Sequence, residues 1–204
     1  MAGVSEDDRR QGKRVRLFVA LDLPDAVRAG IGAWGREALR DPALRRVPEE
    51  SLHMTLAFLG ARPQAEVDGI AAAVREGAGP APLVELRAPI PLPPRGRPRL
   101  YALEALSPGA EALREGLCGR LVEGGFLRPE GRPFRPHVTV ARVRPQGRGS
   151  RRPARVAEPP GELPPSLREP FLGVRVTLYR SELQPSGARY APLAQVELPG
   201  AGQQ

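Results

Sequence analysis

The sequence is poor in the residues that build disulfides and metal centres. It contains one cysteine, Cys118, in 204 residues, so no intramolecular disulfide and no cysteine-based metal site can form. Histidine is almost as scarce, with two residues in the chain. A metal centre built on two histidines needs a third ligand, usually a carboxylate. Both histidines lie in segments that we interpret below as strands, and neither has a close Asp or Glu on the same face of its strand. We therefore expect no metal and no cofactor.

Long apolar runs and the common nucleotide-binding or nucleophile motifs are also missing. No stretch is long and apolar enough to span a membrane, and the N-terminal segment MAGVSEDDRRQGKR lacks the apolar core of a signal peptide. A soluble cytoplasmic protein is the expectation. There is no GxGxxG fingerprint, no P-loop and no serine in a nucleophile elbow, and neither a helix-turn-helix nor a zinc finger can be recognised.

The composition is that of a small basic globular protein. Aromatic residues make up 4% of the chain, so a core must be built mainly from Leu, Val and Ala. The net charge is +8 and the pI is near 10.9, and Lys13 is the single lysine among many arginines. This charge favours a polyanionic partner such as RNA, although solvated arginines also maintain solubility.

Both histidines lie in the same short pattern. They occur as His53-Met54-Thr55 within SLHMTLAFLG, residues 51–60, and as His137-Val138-Thr139 within RPFRPHVTVAR, residues 132–142. Threonine occurs at three positions in the chain, and random placement would put one two residues after both histidines with a probability on the order of 2 × 10⁻⁴. A structural role for one isolated histidine would be ordinary, but the repetition indicates a shared function.

Strand geometry explains the spacing within each pattern. Both segments are rich in strand-forming and apolar residues, and residues two apart in a strand point to the same face. His53 therefore shares a face with Thr55, and His137 shares a face with Thr139, while the intervening residues point to a core. Two such strands beside one cleft would present two imidazoles and two hydroxyls to a single ligand.

The order of predicted elements indicates an internal duplication. Each half contains a helix followed by a histidine strand, which predicts an α+β fold of two lobes related by a pseudo-twofold axis. We expect two mostly antiparallel sheets that flank a central cleft, with helices on their outer faces. Predicted strands cover 15–21, 47–59, 83–92, 99–106, 134–143, 171–180 and 189–198; predicted helices cover 25–40, 63–77 and 108–123.

The predicted domain covers residues 14–198, with flexible tails at 1–13 and 199–204. Residues 145–170 are rich in Pro, Gly and Arg and are predicted to form a long loop, either a flexible connection or an RNA-contacting arm. At the start of the first helix, Asp22 or Asp25 is a candidate N-cap.

Paired imidazoles suit displacement at phosphorus. One histidine can take a proton from the attacking oxygen while the other gives a proton to the leaving oxygen, because an ordinary histidine pKa of about 6.5 allows both forms near neutrality. The Thr55 and Thr139 hydroxyls can donate to the non-bridging oxygens. Arg142 could bind phosphate in a bidentate manner, but it lies five residues after His137, so a bulge or twist would be needed to bring it to the same face.

With these motifs in place, the sequence resembles the RNA 2′,3′-cyclic phosphodiesterase family, also named 2′-5′ RNA ligase, within the 2H phosphoesterases. The resemblance implies the bilobal fold above and a metal-independent opening of a 2′,3′-cyclic phosphate on RNA to a 2′-phosphomonoester. It also implies that His53 is the proton donor and His137 the proton acceptor, with Thr55, Thr139 and Arg142 around the phosphate. The matching segments are RLFVALDLP, SLHMTLAFLG, RPFRPHVTVAR, VTLYRS and ARYAPL.

Two other functions remain open at this point. The same site could join a cyclic phosphate to a 5′-hydroxyl in a 2′-5′ linkage, as on tRNA halves. Alternatively, the chain could be a non-catalytic RNA-binding module, which would not need paired His-x-Thr units. The expected partners are RNAs with 2′,3′-cyclic phosphate ends, tRNA fragments among them, or related cyclic nucleotides, and we expect a monomer.

Overall fold

The computed structural model describes residues 13–129, 131, 133–184 and 187–200. Residues 1–12 and 201–204, which make up most of the predicted tails, lie outside the described residues, as do Pro185 and Ser186. Within the described ranges the chain forms nine strands and three α-helices. The strands are β1 (Arg14–Asp22), β2 (Leu44–Arg46), β3 (His53–Pro63), β4 (Leu83–Leu92), β5 (Leu100–Leu106), β6 (His137–Val143), β7 (Phe171–Leu172), β8 (Arg175–Gln184) and β9 (Gly187–Glu197). The helices are α1 (Asp25–Ala38), α2 (Val67–Gly77) and α3 (Pro108–Glu123).

The strands pair in the order β7-β4-β5-β6-β3-β1-β8-β9, with β2 added to β6. Every pairing is antiparallel. The two histidine strands β3 and β6 are neighbours at the centre of this order, and they join through one residue pair, Met54 opposite Val138. The predicted α+β class with two antiparallel halves is confirmed, and this central pair links the halves into one continuous sheet.

The helices bury apolar stripes against the sheet. Ile70 and Val74 of α2 and Leu117 and Leu121 of α3 are fully buried, as helical spacing predicts. The two helices approach closely at Gly77, where an added Cβ would come within 2.8 Å of the Leu117 Cα. Among the described residues, no helix is both long and apolar enough to cross a lipid bilayer.

The histidine strands are shorter at their starts than the sequence predicts. The first begins at His53 because a 3₁₀ turn, Glu49–Ser51, separates it from β2, which pairs with β6 instead. The second begins at His137, directly after Pro136, which has no N–H to donate to a ladder. In both cases a histidine is the first residue of its strand.

The predicted N-cap of α1 is wrong. Pro24 occupies that position without a side-chain cap, and Asp25 lies in the first turn, where it forms an ion pair with Arg28. Asp22 is buried and accepts hydrogen bonds from residues of β8. These hydrogen bonds to β8 hold the Asp22 carboxylate, so it does not cap the nearby helix.

The segment 145–170 packs against α1 and the loop after it. Asp41 accepts hydrogen bonds from the backbone N–H groups of Ala157 (2.6 Å) and Glu158 (2.9 Å). The Glu158 hydrogen bond is the main reason that the pKa of Asp41 lies below its ordinary value. Trp34 Nε1 donates to the Glu162 carbonyl (2.8 Å), and Leu163 is buried. The segment is thus anchored on this side of the protein.

Candidate active site

The central strand pair places the two His-x-Thr units on one face of the sheet. Met54 and Val138 are fully buried and oppose each other. Because side chains alternate along a strand, the residues flanking each of them point to the opposite face. The two histidines and two threonines there are all half-buried: His53, Thr55, His137 and Thr139. The structure therefore brings all four predicted side chains to the same region.

The same hydrogen bond orients each imidazole. His53 Nδ1 lies 2.8 Å from the carbonyl oxygen of Ser51, and His137 Nδ1 lies 2.7 Å from that of Arg135. A carbonyl oxygen can only accept, so each Nδ1 carries a hydrogen and donates it. Each Nε2 is then the nitrogen available for proton transfer, and the two halves of the site are equivalent in this respect.

Local structure fixes the two accepting carbonyls. Ser51 is the last residue of the 3₁₀ turn before β3, and this turn holds its carbonyl oxygen beside the His53 imidazole. Arg135 is held by Glu104 of β5, whose Oε1 accepts from its Nη2 (2.8 Å) and Nε (3.2 Å). Pro136 then leads directly into β6. Both imidazoles are thus oriented by the residues that begin their strands.

Matching bulges follow the two His-x-Thr units. In the β1–β3 ladder the register passes from Thr55 to Ala57, and in the β5–β6 ladder it passes from Thr139 to Ala141. Each bulge places two buried residues in succession and so reverses the alternation of faces. The next residues, Phe58 and Arg142, consequently come to the exposed side of the sheet.

Arg142 therefore lies where an odd spacing alone would not place it. From the sequence, Arg142 could share a face with the histidines only if a bulge or twist interrupted the strand. The structure contains such a bulge between Thr139 and Ala141. Its positive charge is close enough to His53 to lower the pKa of that imidazole. At the corresponding position of the other half stands Phe58, whose side chain is 66% exposed. The two halves of the site thus differ in charge at equivalent positions.

Aromatic rings enclose His53 on several sides. The ring centroid of the imidazole lies 5.0 Å from that of Phe18, 5.3 Å from that of Tyr190 and 6.1 Å from that of Tyr179. Phe18 in turn stacks on Tyr179 and meets Tyr190 edge-on. The prediction of site residues missed these rings, although Tyr179 and Tyr190 lie within the family-like segments VTLYRS and ARYAPL.

The aromatic enclosure changes the acidity of His53. Burial lowers its pKa to about 4, and the neighbouring Arg142 and His137 side chains act in the same direction. The hydrogen bond to the Ser51 carbonyl opposes the shift. With this pKa His53 is neutral at pH 7, with Nε2 as an acceptor. The Thr55 hydroxyl lies 3.2 Å from that nitrogen and can donate to it.

A buried carboxylate anchors the tyrosine beside His53. Asp22, which pairs with His53 in the β1–β3 ladder, accepts hydrogen bonds from Thr177 Oγ1 (2.8 Å), Tyr179 Oη (3.0 Å) and Arg175 Nε (3.1 Å). Burial raises the pKa of Asp22, and burial together with the Asp22 charge raises the pKa of Tyr179 to about 12. This phenol therefore remains protonated and acts as a fixed donor.

Metal binding has no evident location here. Among the described residues, no group of three or more His, Cys, Asp or Glu side chains could hold a metal ion. The geometry instead provides two imidazoles, two hydroxyls and a guanidinium on one face, which is an arrangement for binding an anion and transferring protons.

Comparison with known proteins gives consistent matches over most of the chain. A family model for the 2′-5′ RNA ligase superfamily matches residues 23–181. A Thermus thermophilus protein named RNA 2′,3′-cyclic phosphodiesterase is 34% identical over 196 residues, which cover 91% of this chain and 91% of that protein. An Escherichia coli protein of the same name is 30% identical over 183 residues, which cover 87% and 93%.

Solved structures agree with this relationship. A crystal structure of a Thermus thermophilus protein superposes with a TM-score of 0.72 at 30% identity, covering 93% of this chain and 100% of the other. Escherichia coli LigT complexed with NADP+ superposes with a TM-score of 0.70 at 25% identity, covering 92% and 99%.

Proposed function

The chain belongs to the 2′-5′ RNA ligase superfamily, and from this premise we propose that it hydrolyses 2′,3′-cyclic phosphate ends of RNA to 2′-phosphomonoesters. The observation that carries the proposal is the pair of imidazoles, each with Nδ1–H held by a backbone carbonyl, which leaves Nε2 as the nitrogen that exchanges protons. Relatives that are 30–34% identical and carry this name support the substrate class. The net charge of +8 also favours a polyanionic substrate.

The proposed reaction is an in-line displacement at phosphorus. His137 takes a proton from water as the water oxygen bonds to phosphorus, and His53 gives a proton to O3′ as the P–O3′ bond breaks. The phosphate remains on O2′. Thr55 and Thr139 donate to the non-bridging oxygens, and Arg142 provides the positive charge that stabilises them. These roles require no metal.

The role of His53 as the acid requires that it gain its proton together with the substrate. Its pKa of about 4 means that it is neutral at pH 7. An anionic phosphate beside the imidazole favours the protonated form and offsets Arg142 and His137. The phosphate is thus both the substrate and the charge that makes the acid available.

The direct test uses an oligonucleotide that ends in a 2′,3′-cyclic phosphate. We expect conversion to the 2′-phosphate with EDTA present and no added metal, followed by chromatography and ³¹P NMR. His53→Ala and His137→Ala should each lower kcat/KM by about 10²–10⁴-fold. Full loss of wild-type activity in EDTA would disprove the metal-free mechanism, and binding without turnover would favour a non-catalytic RNA-binding module.

Ligation is the second candidate function, because the matching family is named for 2′-5′ RNA ligase activity. A 5′-hydroxyl would replace water as the nucleophile, and His137 would remove its proton in the same way. Adding RNA with a 5′-hydroxyl end to the same assay, with tRNA halves as one such pair, distinguishes a joined product from a hydrolysed one.

We further propose a monomeric cytoplasmic enzyme consisting of one domain at 14–198.

A further inference from the structure

A pocket lies beside His53 and extends beyond the groups used in the reaction described above. Its volume is about 690 Å³, within the range of about 300–1,000 Å³ that small-molecule sites occupy. We name it the Arg–Tyr pocket after its principal lining residues. These are Arg45, Arg46, Arg142, Arg189, Tyr179 and Tyr190.

The Arg–Tyr pocket is continuous with the site around His53. Ser51, whose carbonyl orients His53, is one of its lining residues. Tyr179 and Tyr190 line it as well, and their rings are the ones that contact the imidazole. Arg142 also belongs to both places. A ligand whose phosphate lies at the histidines can therefore extend directly into this pocket.

The positive charge of the pocket exceeds what one phosphate needs. Arg46, Arg142 and Arg189 are exposed, and none of them forms an ion pair within the part of the chain that the structure describes. One carboxylate, Glu50, lines the pocket against four guanidinium groups. If Arg142 serves the reacting phosphate, Arg46 and Arg189 remain for a second anion.

We propose that the Arg–Tyr pocket binds the nucleotide on the 5′ side of the reacting one. This inference rests on the proposed function. An RNA that ends in a cyclic phosphate carries its next phosphate on the 5′ side, so a second anion must come from there. Arg46 and Arg189 bind that phosphodiester, and Tyr190 provides an aromatic surface for the adjoining base. The enzyme is thereby selective for oligonucleotides over cyclic mononucleotides.

Three substrates of increasing length test the proposal. They are a 2′,3′-cyclic mononucleotide with a 5′-hydroxyl, the same molecule with a 5′-phosphate, and a dinucleotide that ends in a 2′,3′-cyclic phosphate. We expect kcat/KM to rise roughly tenfold when the 5′-phosphate is added, the effect of about one charged hydrogen bond, and to rise again in the dinucleotide. The rise should shrink in high salt.

Variants locate the effect in the pocket. Arg46→Ala and Arg189→Ala should each lower the ratio of kcat/KM between dinucleotide and unphosphorylated mononucleotide by roughly tenfold. The control is Arg75→Ala, an exposed arginine on α2 that should leave this ratio unchanged. Because all three side chains are exposed, the variants should fold, which thermal melting checks.

The outcomes separate the two proposals. If the wild-type enzyme opens none of the three substrates, the proposed function is wrong. If it opens all three with equal kcat/KM, or if the Arg46 and Arg189 variants keep the wild-type ratio, the second nucleotide site is disproved while the hydrolase function stands.

Discussion

The acidity of His53 couples the site to the stability of the fold. Its pKa is about 4 in the folded protein, whereas an unfolded chain has the ordinary value of about 6.5. Between these values the unfolded state binds more protons, so stability falls as the pH falls. At pH 5 the loss relative to pH 7 amounts to about 2 kcal/mol.

Replacing His53 should therefore reduce the acid sensitivity of the protein. We expect the drop in unfolding free energy between pH 7 and pH 5, measured in urea, to be smaller by about 2 kcal/mol in His53→Ala. Asp22, whose pKa is raised, contributes in the opposite direction in both proteins and does not explain a difference. Equal drops in the two proteins would mean that His53 is not protected from protonation.

At the scale of single elements, alternation along a strand predicted part of the site and a bulge determined the rest. The two-residue period placed His53 with Thr55 and His137 with Thr139 from the sequence alone. The bulge that turns Arg142 could not be predicted, because it depends on the register of β6 against β5. A register is a property of two strands, and the sequence of one strand does not contain it.

The helices show the same limit. Gly30, Gly32 and Gly35 lower the helix propensity of α1, yet the helix forms. Gly30 and Gly32 lie where other segments of the chain pack closely against it. A Cβ at Gly30 would come within 2.7 Å of Leu167 Cδ2, and one at Gly32 would overlap the Glu49 side chain. Similarly, the local sequence around Asp22 predicted a helix cap. It could not reveal the actual hydrogen-bond partner, Thr177, because that residue is 155 positions away in the chain. The spacing of apolar residues predicted the helices, but the sequence did not predict which distant segments pack closely against them.

The bulge in β6 gives a prediction for Arg142. Since the bulge turns this side chain to the face of the histidines, where we propose that the phosphate binds, Arg142→Ala should lower kcat/KM for cyclic phosphate opening by about 10²-fold. Arg142→Lys should restore part of the activity, because lysine keeps the charge but loses the planar fork. Arg75→Ala serves again as the control, and unchanged kinetics in both Arg142 variants would show that the side chain makes no contact with the substrate.

The whole molecule combines a symmetric scaffold with asymmetric surroundings. Both halves supply a histidine, a threonine and a bulge in the same order, and the Met54–Val138 pair lies at their junction. Beyond that core the halves differ: one presents Arg142, the other Phe58, and aromatic rings enclose His53. The proposed displacement has an attacking side and a leaving side, so under this proposal the two imidazoles take different roles, and these surroundings are what distinguishes them.

The nature of the leaving group distinguishes those roles. Opening to a 2′-phosphate breaks the bond to O3′, a basic alkoxide that needs a proton from the acid, which we assign to His53. A phosphodiester with an acidic phenol as its leaving group needs little protonation. We therefore expect His53→Ala to lose much less of its kcat/KM on the phenol ester than on RNA, by a margin of about 10²-fold or more. His137→Ala should lose activity on both substrates, because water still needs its base. If His137→Ala were the variant rescued by the phenol leaving group, the two roles would be reversed. Rescue of neither variant would contradict acid–base catalysis by this pair, since the symmetric scaffold offers no other imidazole to take either role.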